Sequence, residues 1–525
     1  MPGFIAMLLA ASCFLALSAQ AAPPEDFDAR VEALRRESGA PGLAISIVED
    51  GETTLARGYG VRKMGERARV DEKTIFPTGS TGKAVTAAGL ALLVDQEKIG
   101  WDDKVIDHLP WFRMYDPYVT REMTVRDLLV HRSGLGPGAG DLLFVPRSNL
   151  SRTESVRRLA HIKPASTFRY KFAYSNAMYM VAGQLIEEVT GQTWEQYTTE
   201  HLLRPAGMSV STADSAEQFR TANRSHPHAR LNGPLRGAGD QELLDERAEL
   251  GRNAAPAGGL AVSAEDMSRW LRIQLARGAL PEGGRLFSEE ASREMWSPVV
   301  ALPVPQLPEP LKAAQPQFNS YALGWTVRDY RGTRILTHGG GVFGSITVVM
   351  LIPDRQVGFA IMINSEEVQL LSGLMYELLD HYLDAPFSDW PAKWAAFHRQ
   401  RIDSGLETLA AQQAKPADVG PSLPLADYAG DYADAWYGRI AIRQAGEGLT
   451  IDFTSTPRMG GRLDHRQYDT FVTRFADTTI EPAYVTFGLD AEGKVERITM
   501  KAVSPLADFS YDYHDLLFRP VERKE

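Results

Sequence analysis

The chain has 525 residues, 44% of them apolar and 23% charged, with a formal net charge of −11 and one cysteine, Cys13. That length exceeds what a single compact core holds, so two folded units are expected. Mild acidity without a long basic block argues against nucleic acid or an anionic membrane surface as the main partner.

Residues 1–21 are apolar and uncharged, and Ala19-Gln20-Ala21 fits a small-x-small cleavage site. They are expected to form a secretory signal peptide, which makes the product periplasmic or secreted. Cleavage there removes Cys13 and with it any disulfide or thiol chemistry. No later segment is long and apolar enough to predict stable membrane insertion.

Gly42 to Gly60 alternates apolar and polar residues around Asp50-Gly51, which predicts a hairpin. Ser80 to Lys98 has no proline and carries Val85, Leu90, Leu92 and Leu93, so a buried helix with Ser80 and Lys83 in its first turn is expected. Arg157 to Gly207 reads as largely helical. Ala229 to Asn253 is polar and rich in Gly and Arg, which predicts a surface loop or a substrate-side insertion. Ser263 to Ala276 reads as a helix with Glu265 and Asp266 in its first turn. Leu302 to Gln317 holds five prolines and reads as an irregular excursion near the site.

The period then changes. Gly324–Tyr330, Thr333–His338, Ser345–Ile352 and Val357–Ile363 read as strands, followed by helices over Glu366–Leu383 and Pro391–Gln413. An N-terminal hairpin and late strands separated by a helical region predict an α+β fold, an antiparallel sheet flanked by helices plus a mostly helical subdomain. Short strands follow at Tyr437–Arg443, Leu449–Phe453, Thr470–Phe475, Tyr484–Leu489 and Val495–Met500, which predict a small all-β barrel or sandwich. The expected division is therefore an α+β unit over 22–412, a linker over 413–424 and a C-terminal β-barrel over 425–525.

Three motifs carry the chemistry. Ser80 and Lys83 in Ser80-Thr81-Gly82-Lys83 share one helix face. A serine hydroxyl needs a base beside it, and lysine serves only when burial or a neighbouring cation lowers its pKa. In Tyr174-Ser175-Asn176, a tyrosine hydroxyl can relay a proton and an asparagine amide can hold both the lysine and a substrate carbonyl. In His338-Gly339-Gly340-Gly341, glycines let a substrate lie close to an edge strand, and the Gly341 N–H can join the Ser80 N–H in an oxyanion hole. Gly340 belongs to the same substrate-facing stretch. His226 and His228 lack a third obvious ligand, so no metal is expected, and nothing implies a cofactor.

Together with Leu128-Leu129-Val130-His131-Arg132-Ser133-Gly134-Leu135, Pro256-Ala257-Gly258-Gly259-Leu260 and Tyr321-Ala322-Leu323-Gly324-Trp325, these motifs resemble the serine β-lactamase and penicillin-binding-protein superfamily. The likeness is to its class C-like branch, which includes D-aminopeptidases, D-alanyl-D-alanine carboxypeptidases and esterases. The C-terminal stretch Leu463 to Phe471 resembles the lipocalin-like barrel appended to some of these peptidases.

The resemblance implies Ser80 as nucleophile, Lys83 as general base, Tyr174 as proton relay and Asn176 as positioning group. It implies that the His338 motif lines the substrate cleft and that an acyl-enzyme forms at Ser80. Class C β-lactamases usually carry Lys-Thr-Gly where this chain has His338-Gly339-Gly340. A neutral histidine clamps a substrate carboxylate less well. The expectation is therefore hydrolysis of amide bonds in short linear peptides, including those with D- or unusual residues. A carboxylesterase or β-lactamase on the same residues is the first alternative. A non-catalytic peptidoglycan or β-lactam sensor, with the barrel as interaction module, is the second. A small peptide or acyl substrate is the only partner implied, and the oligomeric state is open.

Overall fold

The computed structural model describes residues 23–24, 26–245, 250–413 and 417–521. The expected signal peptide lies outside the described residues.

The main sheet has eight strands: β1 (Gly42–Glu49), β2 (Glu52–Gly60), β3 (Val300–Ala301), β4 (Asn319–Tyr321), β5 (Thr326–Tyr330), β6 (Thr333–Val342), β7 (Ser345–Ile352) and β8 (Val357–Ile363). Their order across the sheet is β2-β1-β8-β7-β6-β5-β4-β3, antiparallel throughout. The N-terminal hairpin closes on the last strand, with Leu43 opposite Ile363. Gly51 takes a φ of +82° at the hairpin turn, a conformation that glycine adopts without a Cβ penalty.

Both faces of the central strands are covered, which explains their nearly unbroken apolar runs. Leu43, Ile45, Ile47, Phe359, Ile361 and Ile363 point to one face. There they meet the helices Phe27–Ser38, Val368–Tyr382 and Trp390–Gln413. Ala44, Val48, Ala360 and Met362 point to the other face, toward the helical region. That region is built around the helices Lys83–Asp95 and Asn176–Thr190, both nearly enclosed. Trp390 seals the outer face, and its indole N–H donates to Asp380 at 2.6 Å.

Residues 430–520 form a closed barrel of eight antiparallel strands, Gly430–Asp434 through Leu517–Pro520. Three of them, Gly430–Asp434, Gly460–Gln467 and Leu517–Pro520, are missed by the sequence reading, because they are charged or glycine-bearing edges of the pattern. Barrel core residues such as Tyr437, Phe453 and Phe518 belong to one apolar cluster with the helical region. The barrel also packs Val472 and Val503 on Leu235 and Leu409.

One expectation needs correction and another is narrowed to one of its alternatives. The proline-rich stretch is irregular, but it does not border the site. Leu311 and Ala314 pack it into the outer-face cluster, because they are its best apolar side chains. The stretch from Ala229 to Asn253, expected as a surface loop or a substrate-side insertion, does reach the substrate side, where Arg236 and Gly237 border the cavity beside Ser80. His228–Arg230 pairs with Gln241–Leu243, and Leu235 is buried against the barrel side. Among the described residues no helix is long and apolar enough to cross a membrane, and no group of three or more His, Cys, Asp or Glu side chains is placed to hold a metal ion.

Trp390→Ala removes a fully buried ring and one of the donors to Asp380, which keeps Tyr330 and Arg331 as partners. It is expected to cost about 3–5 kcal/mol, read as a lower urea midpoint with unchanged slope. A change under about 1 kcal/mol would mean that the helical outer layer is not coupled to the sheet.

Candidate active site

Ser80 sits in a 3-10 turn, Gly79–Gly82, and the α-helix proper begins at Lys83. This differs from the helical first turn expected. Gly79 has a φ of +52°, and a Cβ there would stand 2.6 Å from the Gly341 nitrogen. Only glycine lets strand β6 pass so close. A 3-10 turn stacks residues i and i+3 almost directly, so Ser80 and Lys83 overlie each other. Thr78 anchors the turn, its N–H and hydroxyl both donating to the Leu260 carbonyl at 2.8 and 2.9 Å.

Lys83 is fully buried. Its Nζ has three oxygen partners: Ser80 Oγ at 2.9 Å, Asn176 Oδ1 at 2.7 Å and the Ala257 carbonyl at 2.7 Å. Burial pulls its pKa down to about 7, and the Asp141 carboxylate partly opposes that fall. A neutral amine keeps two N–H donors and gains one lone pair. Asn176 Oδ1 and the Ala257 carbonyl can only accept. Ser80 is therefore the one partner able to donate to the lone pair.

Asn176 opens the helix Asn176–Thr190. Its amide N–H donates to Asp141 Oδ2 at 2.8 Å. The same carboxylate oxygen accepts from the hydroxyl of Ser510, on the barrel side of the chain, at 2.8 Å. Asp141 is fully buried, and desolvation pushes its pKa up to about 7. Asp512 holds the neighbouring loop, accepting from the N–H groups of Gly140 at 2.8 Å and Leu142 at 3.3 Å.

The Tyr174 hydroxyl hydrogen-bonds Ser80, and burial raises its pKa well above the usual phenol value. Its ring stacks on His131 at 4.2 Å, and Lys83 Nζ lies 4.9 Å from its centroid. His131 accepts the Ser175 N–H at Nδ1. Burial, with Lys83 and His338 nearby, holds His131 neutral.

His338 is buried, and desolvation, then Lys83, lowers its pKa to about 3. Nδ1 pairs with the Gly339 carbonyl at 2.6 Å and Nε2 with the Tyr321 hydroxyl at 2.7 Å. Both nitrogens are spent within the protein, so this histidine stands behind the site as a neutral support. That differs from its expected place as a substrate contact, and the reason is the deep burial of its strand position. Gly340 also faces inward: a Cβ there would lie 2.0 Å from the Thr78 carbonyl and 3.1 Å from the Ser80 nitrogen.

Ser80, Asn176 and Gly341 border a cavity of about 520 Å³. Its far wall comes from Arg236, from the helix bearing Arg401, and from the segment Leu506–Tyr511. Phe509 lies edge-on to Tyr174 at 5.7 Å, and its carbonyl crowds Gly138 so closely that no Cβ fits there. The C-terminal segment is thus built into the site. Sequence reading missed Asp141, the Ala257 carbonyl, His131 as the stacking partner, and Phe509, Ser510 and Asp512. Only the Gly138-Ala139-Gly140-Asp141 run hinted at a special backbone, and nothing local tied it to Lys83.

A family model described as Beta-lactamase matches residues 27–378, and one described as a domain of unknown function (DUF3471) matches 414–520. An unguisins hydrolase of Aspergillus campestris is 30% identical over 422 residues, covering 77% of this chain and 74% of its own. The octameric penicillin-binding protein homologue from Pyrococcus abyssi is similar in fold, with a TM-score of 0.56, 19% identity, and coverage of 94% of this chain and 99% of its own. The D-amino acid amidase of Ochrobactrum anthropi SV3 has a TM-score of 0.53 at 18% identity, covering 68% and 98%.

Asp141→Asn keeps the shape of the bond to Asn176 and removes an anion that favours the lysine proton. The Lys83 pKa is expected to fall by about half to one unit, read by NMR of isotope-labelled lysine. An unmoved titration would show that Asp141 does not act on Lys83 electrostatically.

Proposed function

The chain belongs to the β-lactamase family, and from that premise we propose a serine hydrolase that cleaves amide bonds of short linear peptides through an acyl-enzyme at Ser80. One observation carries the reading. Lys83 is desolvated, and Ser80 is the only one of its three partners that can donate a proton to it.

In this mechanism Ser80 Oγ attacks the substrate carbonyl carbon while its proton passes to Lys83 Nζ. The N–H groups of Ser80 and Gly341 receive the developing oxyanion. The Tyr174 hydroxyl delivers its proton to the departing amine nitrogen as the C–N bond breaks, and the Lys83 ammonium returns the serine's proton to the tyrosine oxygen, so that both groups regain their starting states. The tyrosine's raised pKa keeps it a proton carrier rather than a standing anion. Water then attacks the serine ester, giving up its proton to Lys83 along the reverse path, and the acid product leaves. Asn176 and Asp141 hold the lysine in place throughout.

The neutral, doubly engaged His338 supports a peptide over a β-lactam substrate. It offers no cation for the carboxylate that a β-lactam carries at this position. The Aspergillus relative's name, a hydrolase, agrees with the reaction class. The proposal includes an exported location, resting on the apolar residues 1–21.

Ser80→Ala is expected to abolish covalent labelling by a fluorophosphonate, and persistent labelling would identify another nucleophile. Lys83→Ala should lower kcat/KM about 100- to 10,000-fold. Lys83 must be neutral to act, so wild-type kcat/KM should fall about tenfold per pH unit below its pKa of about 7. A flat profile down to pH 5 would rule out lysine as the base. Short peptides should outpace a p-nitrophenyl ester and a chromogenic cephalosporin in kcat/KM. Faster ester or cephalosporin turnover would move the assignment to the esterase or β-lactamase alternative.

A further inference from the structure

An unbroken run of hydrogen bonds joins the base to the C-terminal unit. Lys83 Nζ meets Asn176 Oδ1 at 2.7 Å, the Asn176 amide N–H donates to Asp141 Oδ2 at 2.8 Å, and the Ser510 hydroxyl donates to that same oxygen at 2.8 Å. Among the described residues these are the only two donors to the Asp141 carboxylate, because its Oδ1 is buried without a hydrogen-bond partner. Asn176 belongs to the same folded unit as the lysine. Ser510 lies 369 residues beyond Asp141, in the connection between the barrel strands Val495–Ala502 and Leu517–Pro520. One of the two bonds that hold this carboxylate therefore comes from the barrel.

The hydroxyl has little freedom. Ser510 is buried, and its N–H donates to Asp508 Oδ1 at 2.9 Å. The Phe509 carbonyl before it presses on Gly138, and Asp512 after it accepts the N–H groups of Gly140 and Leu142, on either side of Asp141. The charges around Asp141 are finely opposed. Burial pushes its pKa up to about 7, the bonds from Asn176 and Ser510 and the nearby Lys83 pull it down, and Asp508 adds to the rise. Asp512 is pushed well above the usual carboxylate range by its own burial and by Asp141. Tyr174, Tyr179 and the neutral His131 and His338 surround Lys83, so Asp141 supplies the anion that acts on the amine. A hydrogen bond to a charged group is strong enough to tip a carboxylate so placed.

We propose that Ser510 is a positioning residue for the base: its hydroxyl keeps Asp141 an anion fixed on Asn176, so that Lys83 reaches its working basicity only while the barrel is seated. The inference rests on the acyl-enzyme reading above, whose base it concerns. An ionised Asp141 can only accept, which obliges Asn176 to turn its N–H toward the carboxylate and its carbonyl toward the lysine. Loss of the Ser510 bond moves Asp141 toward the neutral acid and withdraws the anion that favours the lysine proton. The Asp141 pKa then rises and the Lys83 pKa falls. The amine stays neutral to lower pH, and it is a weaker base when it acts. The barrel thereby governs the reactivity of Ser80 through a single hydroxyl.

The test uses the full-length protein and needs no knowledge of the substrate. Carbon NMR of labelled aspartate follows Asp141, assigned by the signal that Asp141→Asn removes. NMR of isotope-labelled lysine follows Lys83, and the rate of covalent labelling by a fluorophosphonate is measured against pH. Ser510→Ala should raise the Asp141 pKa by about one unit and lower that of Lys83 by roughly a third to half of a unit. The acid limb of the labelling rate should move to lower pH with the lysine, and the rate above pH 9 should stay within about fivefold of wild type. In an Asp141→Asn background, Ser510→Ala should move neither the Lys83 titration nor the acid limb. An unmoved Asp141 titration in Ser510→Ala would overturn the proposal. So would a labelling rate lowered by one factor at every pH, which is what a merely structural role gives, or a Lys83 shift that persists once the Asp141 carboxylate is gone. Both titrations moving as expected in a protein that the fluorophosphonate does not label would support Ser510 as the residue that tunes the lysine, while refuting the acyl-enzyme reading.

Discussion

A single buried amine organises this molecule. Lys83 lies out of water among three oxygens, and a primary amine in that setting is held near the point of giving up its proton. Almost every element near the site exists to keep those oxygens where they are. The Ala257 carbonyl is presented by a proline- and glycine-bearing turn in which Gly258 presses on Gly79. Asn176 is set at the head of a buried helix. Ser80 is brought over the lysine by a tight turn that a neighbouring strand leaves no room to relax.

The burial of one cation draws in further titratable groups. Asp141 compensates the amine through Asn176, at the cost of its own desolvation. His131 and His338 stay neutral because both are enclosed near the same positive charge. A neutral His338 can then serve as a hydrogen-bond acceptor for Tyr321, completing an aromatic and imidazole layer behind Tyr174. This layer, with Phe509 on the other side, fixes the tyrosine ring without a conventional salt bridge.

The closed barrel changes what kind of site this is. The last stretch of the chain reaches back to Asp141 and Gly140, whose buried loop would otherwise leave polar groups unsatisfied. The two folded units share one apolar cluster. The barrel is thus a wall of the active-site cavity and a source of its polar groups.

Much of this was legible in the sequence. The hairpin at Asp50-Gly51, the buried helix after Lys83 and the late strands follow from period, turn residues and burial, which act over a few neighbours. The Ser80–Lys83 pair was readable for the same reason, since residues three apart meet in any helical turn. The 3-10 form of that turn was not, because it depends on Gly341 passing from a strand about 260 residues away, a crowding that only the folded chain creates. The inward placing of His338 and the irregular stretch packed on the outer face were likewise decided by which neighbours close over them. The bond from Asp141 to Ser510 joins residues 369 positions apart. No local pattern encodes such a contact, since each side chain alone is an ordinary loop residue. Sequence by itself determined the chemistry available, while tertiary packing decided which groups are dry and which are paired.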